Sequence, residues 1–219
     1  MMTSPLQDYS QESIRNIYCI GRNYRLHALE LGNEVPKSPM VFTKPTHSLV
    51  PMDGREVELP GAEGEVHFEL EIVLRAGRDW EPGLPADELF DAMALGLDLT
   101  LRDVQSRLKE KGHPWLAAKG FLGSSPLGPW LTYPGLAGLN NADFSLLRGA
   151  EVAQLGNAAD MIFPPDVLAE HIGSRYGLRR GDVIYTGTPA GVAALLDGET
   201  LTALWNGEPA GSLQVKLRR

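Results

Sequence analysis

The stretch Val66-His67-Phe68-Glu69-Leu70-Glu71-Ile72-Val73-Leu74 alternates between apolar and polar residues, and both a strand and a candidate site rest on that alternation. Val66, Phe68, Leu70, Ile72 and Leu74 fall on one side of a two-residue period and His67, Glu69 and Glu71 on the other, which predicts a strand over 66–74. Residues two apart on a strand point the same way, so the two carboxylates stand side by side, roughly 7 Å apart. That spacing suits a shared cation. Carboxylates set among Phe68, Leu70 and Ile72 are costly to bury without one. A polar strand face turned to water explains the same alternation, since antiparallel sheets often carry Glu on the solvated side.

A second apolar run, Leu95-Gly96-Leu97-Asp98-Leu99, carries a single acid at Asp98. An acid isolated in such a run is seldom buried without a partner. Taken with Glu69 and Glu71 it makes three oxygen ligands. An all-oxygen set favours Mg²⁺ or Mn²⁺ over Zn²⁺, which normally recruits Cys or His.

On either side of these runs, Asn16 to Gly21 and Met40 to Thr43 read as short strands, and Tyr24 to Leu31 as a short helix stopped by Gly32-Asn33. Helical spacing extends over Pro85 to Ala94, with a strand over Leu95 to Leu99 and a helix from Arg102 to Lys111 closed by Gly112. Pro165 to Tyr176 is the strong helix of the second half, ended by Gly177. Val183 to Thr186, Thr200 to Trp205 and Ser212 to Leu217 read as strands, the last two joined across the turn pair Asn206-Gly207. The fold class expected is α+β, mostly β. A single domain over 17–219, preceded by an N-terminal arm over 1–16, fits the 219-residue length.

The formal charge of −8 argues against a nucleic-acid or membrane-surface binder, which needs a basic footprint. The single cysteine, Cys19, excludes an intrachain disulfide and, between Tyr18 and Ile20, reads as a buried strand position. Met1 to Ser13 lacks the basic start and apolar stretch of a signal peptide, and no segment has the apolar length of a membrane span, so a cytoplasmic location is expected.

His27 and Glu30 lie three apart and share a helix face, where the carboxylate can orient and polarise the imidazole; a plain solvated pair is the alternative. Lys119, after Ala117 and Ala118, offers a positive charge, or is an ordinary surface lysine. Arg102 and Gln105 are three apart on one helix and unremarkable by themselves. Thr188 sits in a Gly-rich turn whose backbone N–H groups can approach an anion, as ordinary turns also allow.

His67-Phe68-Glu69-Leu70-Glu71 resembles the H-x-E-x-E strand of the fumarylacetoacetate hydrolase family. Further motifs occur in the family's order: Gly21-Arg22-Asn23-Tyr24 with His27 and Glu30, Phe42-x-Lys44-Pro45, Asp98 through Gln105, Pro114-Trp115, Ala118-Lys119, and Thr186-Gly187-Thr188-Pro189-Ala190-Gly191-Val192. The resemblance implies layered mixed β-sheets in a roll or sandwich, commonly as a homodimer, with Mg²⁺ or Mn²⁺ bound by Glu69, Glu71 and Asp98. It assigns water or proton activation to His27 and Glu30, a charge at the reacting oxygens to Lys119, and substrate contacts to Arg102, Gln105 and Thr188. The implied substrate is a small 2-oxo acid chelating the metal, which would stabilise an enolate. Among the family's reactions, acylpyruvate hydrolysis is favoured by the complete dyad; oxaloacetate decarboxylation and isomerisation or tautomerisation of 2-oxo-acid enols are alternatives. A purely structural divalent site is the non-enzymatic reading. The break at Gly32-Asn33 would let the dyad segment act as a lid.

Overall fold

A computed structural model describes residues 14–30, 32 and 34–218. The large sheet orders its strands Met40–Lys44, Ile17–Gly21, Val183–Tyr185, Leu70–Ala76, Phe90–Leu97, Ser125–Leu127 and Leu49–Pro51, with Leu131–Thr132 also pairing Phe90–Leu97. Its pairing is mixed: Ile17–Gly21 runs parallel to Val183–Tyr185 and antiparallel to Met40–Lys44. A five-stranded sheet takes the order Glu151–Asn157, Asp143–Arg148, Thr200–Trp205, Glu208–Leu217, Asp53–Leu59, and a small sheet joins Ala193–Ala194, Val66–Phe68 and Thr100–Leu101. The mostly β, layered architecture expected from the sequence is what the chain adopts.

The main core lies between the two larger sheets, where Leu70, Ile72, Leu74, Met93 and Leu95 meet Phe144, Leu146, Leu201, Ala203, Leu213 and Val215. The opposite face of Leu70–Ala76 is buried too. There Cys19, Tyr185, Val73 and Ala94 stand in register across neighbouring strands, and the row of Glu71 and Gly96 lies next to them. Gly96 is required at that position, because a Cβ would sit 2.8 Å from the Tyr185 ring and 2.9 Å from Val73. Cys19 is buried, as its apolar neighbours imply.

The strand expected over 66–74 is two strands. Val66–Phe68 belongs to the small sheet and Leu70–Ala76 to the large one, so the chain changes sheets at Glu69. At the break the Leu70 N–H donates to the Gln154 side chain and the Glu69 carbonyl accepts from Asp98 N–H. The helix expected over Pro85 to Ala94 is confined to Ala86–Leu89; Phe90–Leu97 is a strand of the large sheet. Seven of its eight residues are buried, and a strand covered on both faces has no polar alternation to separate it from a helix. Asp98 lies one residue beyond that strand.

Arg102–Glu110 and Pro165–Tyr176 are helical, and Asn206 and Gly207 take the positive φ of a two-residue hairpin turn. The hairpin Asp143–Arg148 with Glu151–Asn157 adds two strands that the sequence pattern does not predict, the second of them interrupted by Ala153 and Gly156. The dyad helix is Arg25–Glu30, and Gly32, at φ 65°, closes it through a bond to Leu29 O. Leu31, Asn33 and the greater part of the arm, residues 1–13, lie outside the described residues. Among the described residues no helix is long and apolar enough to cross a membrane.

Candidate active site and cation pocket

The sheet change at Glu69 and the strand end at Asp98 bring three carboxylates to one point. Glu69, Glu71 and Asp98 each offer an oxygen within 4.8 Å of the others. Their exposures are 6%, 2% and 1%, which excludes the solvated-face reading. Asp98 Oδ2 and Glu69 Oε2 accept from Lys119 Nζ at 2.6 and 2.8 Å, Asp98 Oδ1 lies 2.6 Å from Lys44 Nζ, and Glu69 Oε1 accepts from Arg102 Nη2 at 2.6 Å. Burial works to raise the Glu69 pKa, but Lys119 and Arg102 outweigh it and hold the group well below the usual carboxylate range. Burial opposes the charge of Lys119 in turn, and Asp98 and Glu69 reverse that, raising its pKa.

Glu71 differs from its two neighbours. It accepts the Gly187 N–H at 2.8 Å and is in no ion pair among the described residues. Burial first, and then the Asp98 charge, push its pKa well above the ordinary value. A buried carboxylate without a cation, beside two more acids in an oxygen-only set, is the arrangement a hard divalent ion relieves, so these residues fit Mg²⁺ or Mn²⁺. Gly187 has φ 101° and a Cβ there would come 2.6 Å from Asn23 Cβ, so glycine alone brings this backbone donor to Glu71.

His27 is 4% exposed, and its Nδ1 lies 3.6 Å from Glu30 Oε2, an ion-pair distance rather than a hydrogen bond. Burial lowers the imidazole pKa, against the upward pull of Glu69 and Glu30. Both Glu30 oxygens also lie 3.2 Å from the Gly191 N–H, which ties the dyad helix to the closing loop. Arg102 bridges Glu69 to Gln105, whose Oε1 accepts from Nη1 at 2.7 Å. Thr188 is buried and its hydroxyl accepts from Gln154 Nε2 at 2.9 Å. A cavity of about 50 Å³ collects the set: His27, Glu69, Glu71, Asp98, Arg102, Gln105, Lys119 and Thr188 all line it. Glu30 stands behind His27 rather than on the cavity wall, and His67 turns to Glu65 at 3.0 Å.

Residues 16–216 match the domain family described as Fumarylacetoacetate (FAA) hydrolase C-terminal. The chain belongs to the fumarylacetoacetate hydrolase family. It is 37% identical over 206 residues to oxaloacetate tautomerase FAHD1 of Arabidopsis thaliana, covering 93% of this chain and 91% of that one. It is 35% identical to an oxaloacetate decarboxylase of Dictyostelium discoideum, with 87% and 88% covered. Among solved structures, fumarylpyruvate hydrolase from Pseudomonas aeruginosa in complex with Mn²⁺ and pyruvate superposes with a TM-score of 0.85 at 33% identity, over 94% of this chain and 91% of that one.

In this family member three further residues shape the pocket, and the sequence pointed to a role for none of them. Lys44 is buried and reaches Asp98, Leu99 O and Ser124 O; its signals were its place in the Phe42-x-Lys44-Pro45 motif and its position at the end of an apolar run, neither of which assigned it a role. Asn23 is fully buried and binds Phe163 N and O and Thr186 O, which pins the root of the dyad helix to two distant loops. Gln154 joins Leu70 N, Thr188 Oγ1 and Pro189 O.

Proposed function

We propose that this fumarylacetoacetate hydrolase family member interconverts the keto and enol forms of a small 2-oxo acid, with oxaloacetate the substrate its residues and relatives support best. The observation that carries the reading is His27: a buried imidazole with a lowered pKa, hence a free proton acceptor at neutral pH, facing a small cavity beside three carboxylates. With Nδ1 turned to Glu30, Nε2 is the ring nitrogen left to accept the proton at C3 of the substrate. Glu30 stabilises the imidazolium that forms. Arg102 and Gln105 orient the substrate's carboxylate at the 2-oxo end, with the Thr188 hydroxyl on the same cavity wall. Lys119 and Lys44 pair with Glu69 and Asp98 and hold them in place. Mg²⁺ or Mn²⁺ held by Glu69, Glu71 and Asp98 would supply fixed positive charge for the oxygens on which negative charge develops.

Tautomerisation needs a group that takes the proton from C3 and returns it to the 2-oxo oxygen, a task His27 can perform alone, and it needs no ordered water. Hydrolysis of an acylpyruvate, the activity favoured from the sequence, is the second reading, supported by the likeness to the fumarylpyruvate hydrolase with Mn²⁺ and pyruvate. It adds one requirement: water held where His27 can deprotonate it.

The test tracks enol absorbance of oxaloacetate with metal-free protein, then with Mg²⁺ or Mn²⁺, beside His27→Ala. Metal-dependent acceleration that disappears in the variant is expected; a rate no different from the spontaneous one rejects the tautomerase. Acetylpyruvate in ¹⁸O-labelled water separates the second reading, which requires label in the released acid.

A further inference from the structure

The protein carries a formal charge of −8, yet the rim of its pocket is basic. Arg22 and Lys109 line the cavity together with Arg102 and Gln105. Neither Arg22 nor Lys109 is in an ion pair among the described residues, whereas the cations at the floor all have carboxylate partners. Lys109 has its pKa lowered by partial burial and then by the charges of Arg22 and Arg102, with no carboxylate offsetting them. Cations left to repel one another at a cavity mouth are arranged for an anion that arrives from outside.

Two local features aim them. On the helix Arg102–Glu110, Arg102, Gln105 and Lys109 are three and four residues apart and share one face, so their side chains climb from the carboxylate floor to the rim. At 1.5 Å per residue Lys109 starts about 10 Å further along that helix than Arg102. Arg102 Nε is buried and has no hydrogen-bond partner among the described residues, a donor open to a ligand between floor and rim. Arg22 has φ 58°, the left-handed region that a long side chain rarely enters. The other non-glycine in that region among the described residues is Asn206, in a hairpin turn where asparagine is at ease. Arg22 has no such excuse: it is held there by Asn23, whose bonds to Phe163 and Thr186 fix the chain on its C-terminal side.

We infer that Arg22 and Lys109 form a second anion subsite at the pocket mouth, selecting 2-oxo acids that carry a distal carboxylate over those that end in an alkyl group. The inference rests on the reading of the cavity as a 2-oxo-acid site and adds which end of the substrate is read at the mouth, and by which side chains. The floor takes the 2-oxo carboxylate end, common to all such acids; the rim takes the group that distinguishes a diacid from a monoacid. Two guanidinium or ammonium contacts to one carboxylate are of the kind that set selectivity between otherwise matched ligands.

The test compares binding of oxaloacetate and 2-oxobutyrate, four-carbon acids that differ in the distal carboxylate, by calorimetry on the Mg²⁺-loaded protein. Wild type, Arg22→Gln, Lys109→Gln and the double variant are measured, each with a melting curve. The expected result is oxaloacetate affinity falling about ten-fold in the double variant while 2-oxobutyrate affinity changes far less. Lys109→Glu, on an exposed position that leaves folding intact, should turn the preference toward 2-oxobutyrate. Equal losses for both acids, or no loss for either, overturn the subsite. A wild type that binds both acids equally well also overturns it while leaving the 2-oxo-acid reading in place. A wild type that binds neither removes both.

Discussion

At the floor of the pocket Glu69, Glu71 and Asp98 are buried on strand residues or at a strand end, with Lys44, Lys119 and Arg102 within 2.8 Å of two of them. At the mouth His27 and Glu30 stand on a six-residue helix, Glu30 is 38% exposed at its side chain, and Arg22 and Lys109 are unpaired among the described residues. The floor is preorganised: its charges are placed by two sheets and neutralised before any ligand arrives, Glu71 excepted. At the mouth Arg22 and Lys109 have no ion-pair partner among the described residues, so in the proposed reading their partner comes with the substrate. Changes at the floor should therefore abolish function for every substrate, and changes at the mouth should alter rate, pH response or preference.

The largest effect is expected from Glu71→Ala, which removes the one floor carboxylate without a cation. Loss of kcat/KM by about a thousand-fold or more is expected. So is loss of the metal's thermal stabilisation, which for a ligand at one hundred times its Kd amounts to about 2.7 kcal/mol. Melting curves with and without Mg²⁺ check the second effect independently of turnover. A variant that still gains stability from Mg²⁺ would mean that the carboxylates do not hold the ion. His27→Ala comes next: about 10²- to 10⁴-fold in kcat is expected, with the metal-induced rise in Tm unchanged. Equal loss of both quantities would erase the distinction between floor and mouth.

The pH response separates the two regions further. In the proposed reaction His27 is the base and must be neutral; burial places its pKa below the ordinary imidazole value of about 6.5, so kcat/KM should be full at neutral pH and fall only on the acid side of that value. The Glu30 charge acts in the opposite direction, raising the imidazole pKa. Glu30→Gln should therefore shift the acid limb to still lower pH while reducing kcat. For stability the sign is the same: the unfolded imidazole takes up a proton before the folded one, so the contribution of His27 is present above its unfolded pKa and is lost as pH falls. A limb that moves upward in Glu30→Gln would show that Glu30 is not acting on His27.

How much of this could be read in the sequence divides along the same line. Alternation over 66–74 put Glu69 and Glu71 side by side, and the lone acid of Leu95-Gly96-Leu97-Asp98-Leu99 marked the third carboxylate, because burial leaves a periodic trace. Period alone could not tell that the strand breaks at Glu69, since the break depends on the Gln154 side chain taking the Leu70 N–H from 84 residues away. The same limit made Phe90 to Ala94, the first part of the strand Phe90–Leu97, read as helix, both faces being covered by elements distant in the chain. Lys44 and Asn23 stand in the family's motifs, but what they bind was equally hidden. Each works through bonds to loops far along the sequence, Ser124 and Leu99 for one, Phe163 and Thr186 for the other, and a single polar residue has no period to betray its partner.

Gln154 connects the two regions and gives the smallest expected effect. Its Oε1 accepts the Leu70 N–H beside Glu69, and its Nε2 donates to Thr188 Oγ1 and Pro189 O in the loop whose Gly191 holds Glu30. Gln154→Leu fills the space but leaves a buried backbone donor unpaired, which costs about 1–3 kcal/mol of stability by denaturant unfolding. It also frees the Thr188 hydroxyl, so KM for oxaloacetate should rise several-fold with kcat little changed. If that rise passes through Thr188, adding Gln154→Leu to Thr188→Val should raise KM no further than Thr188→Val alone, the non-additivity expected of residues in one network. Fully additive effects on KM would place the role of Gln154 in the strand break at Glu69, making it part of the floor rather than the link between floor and mouth.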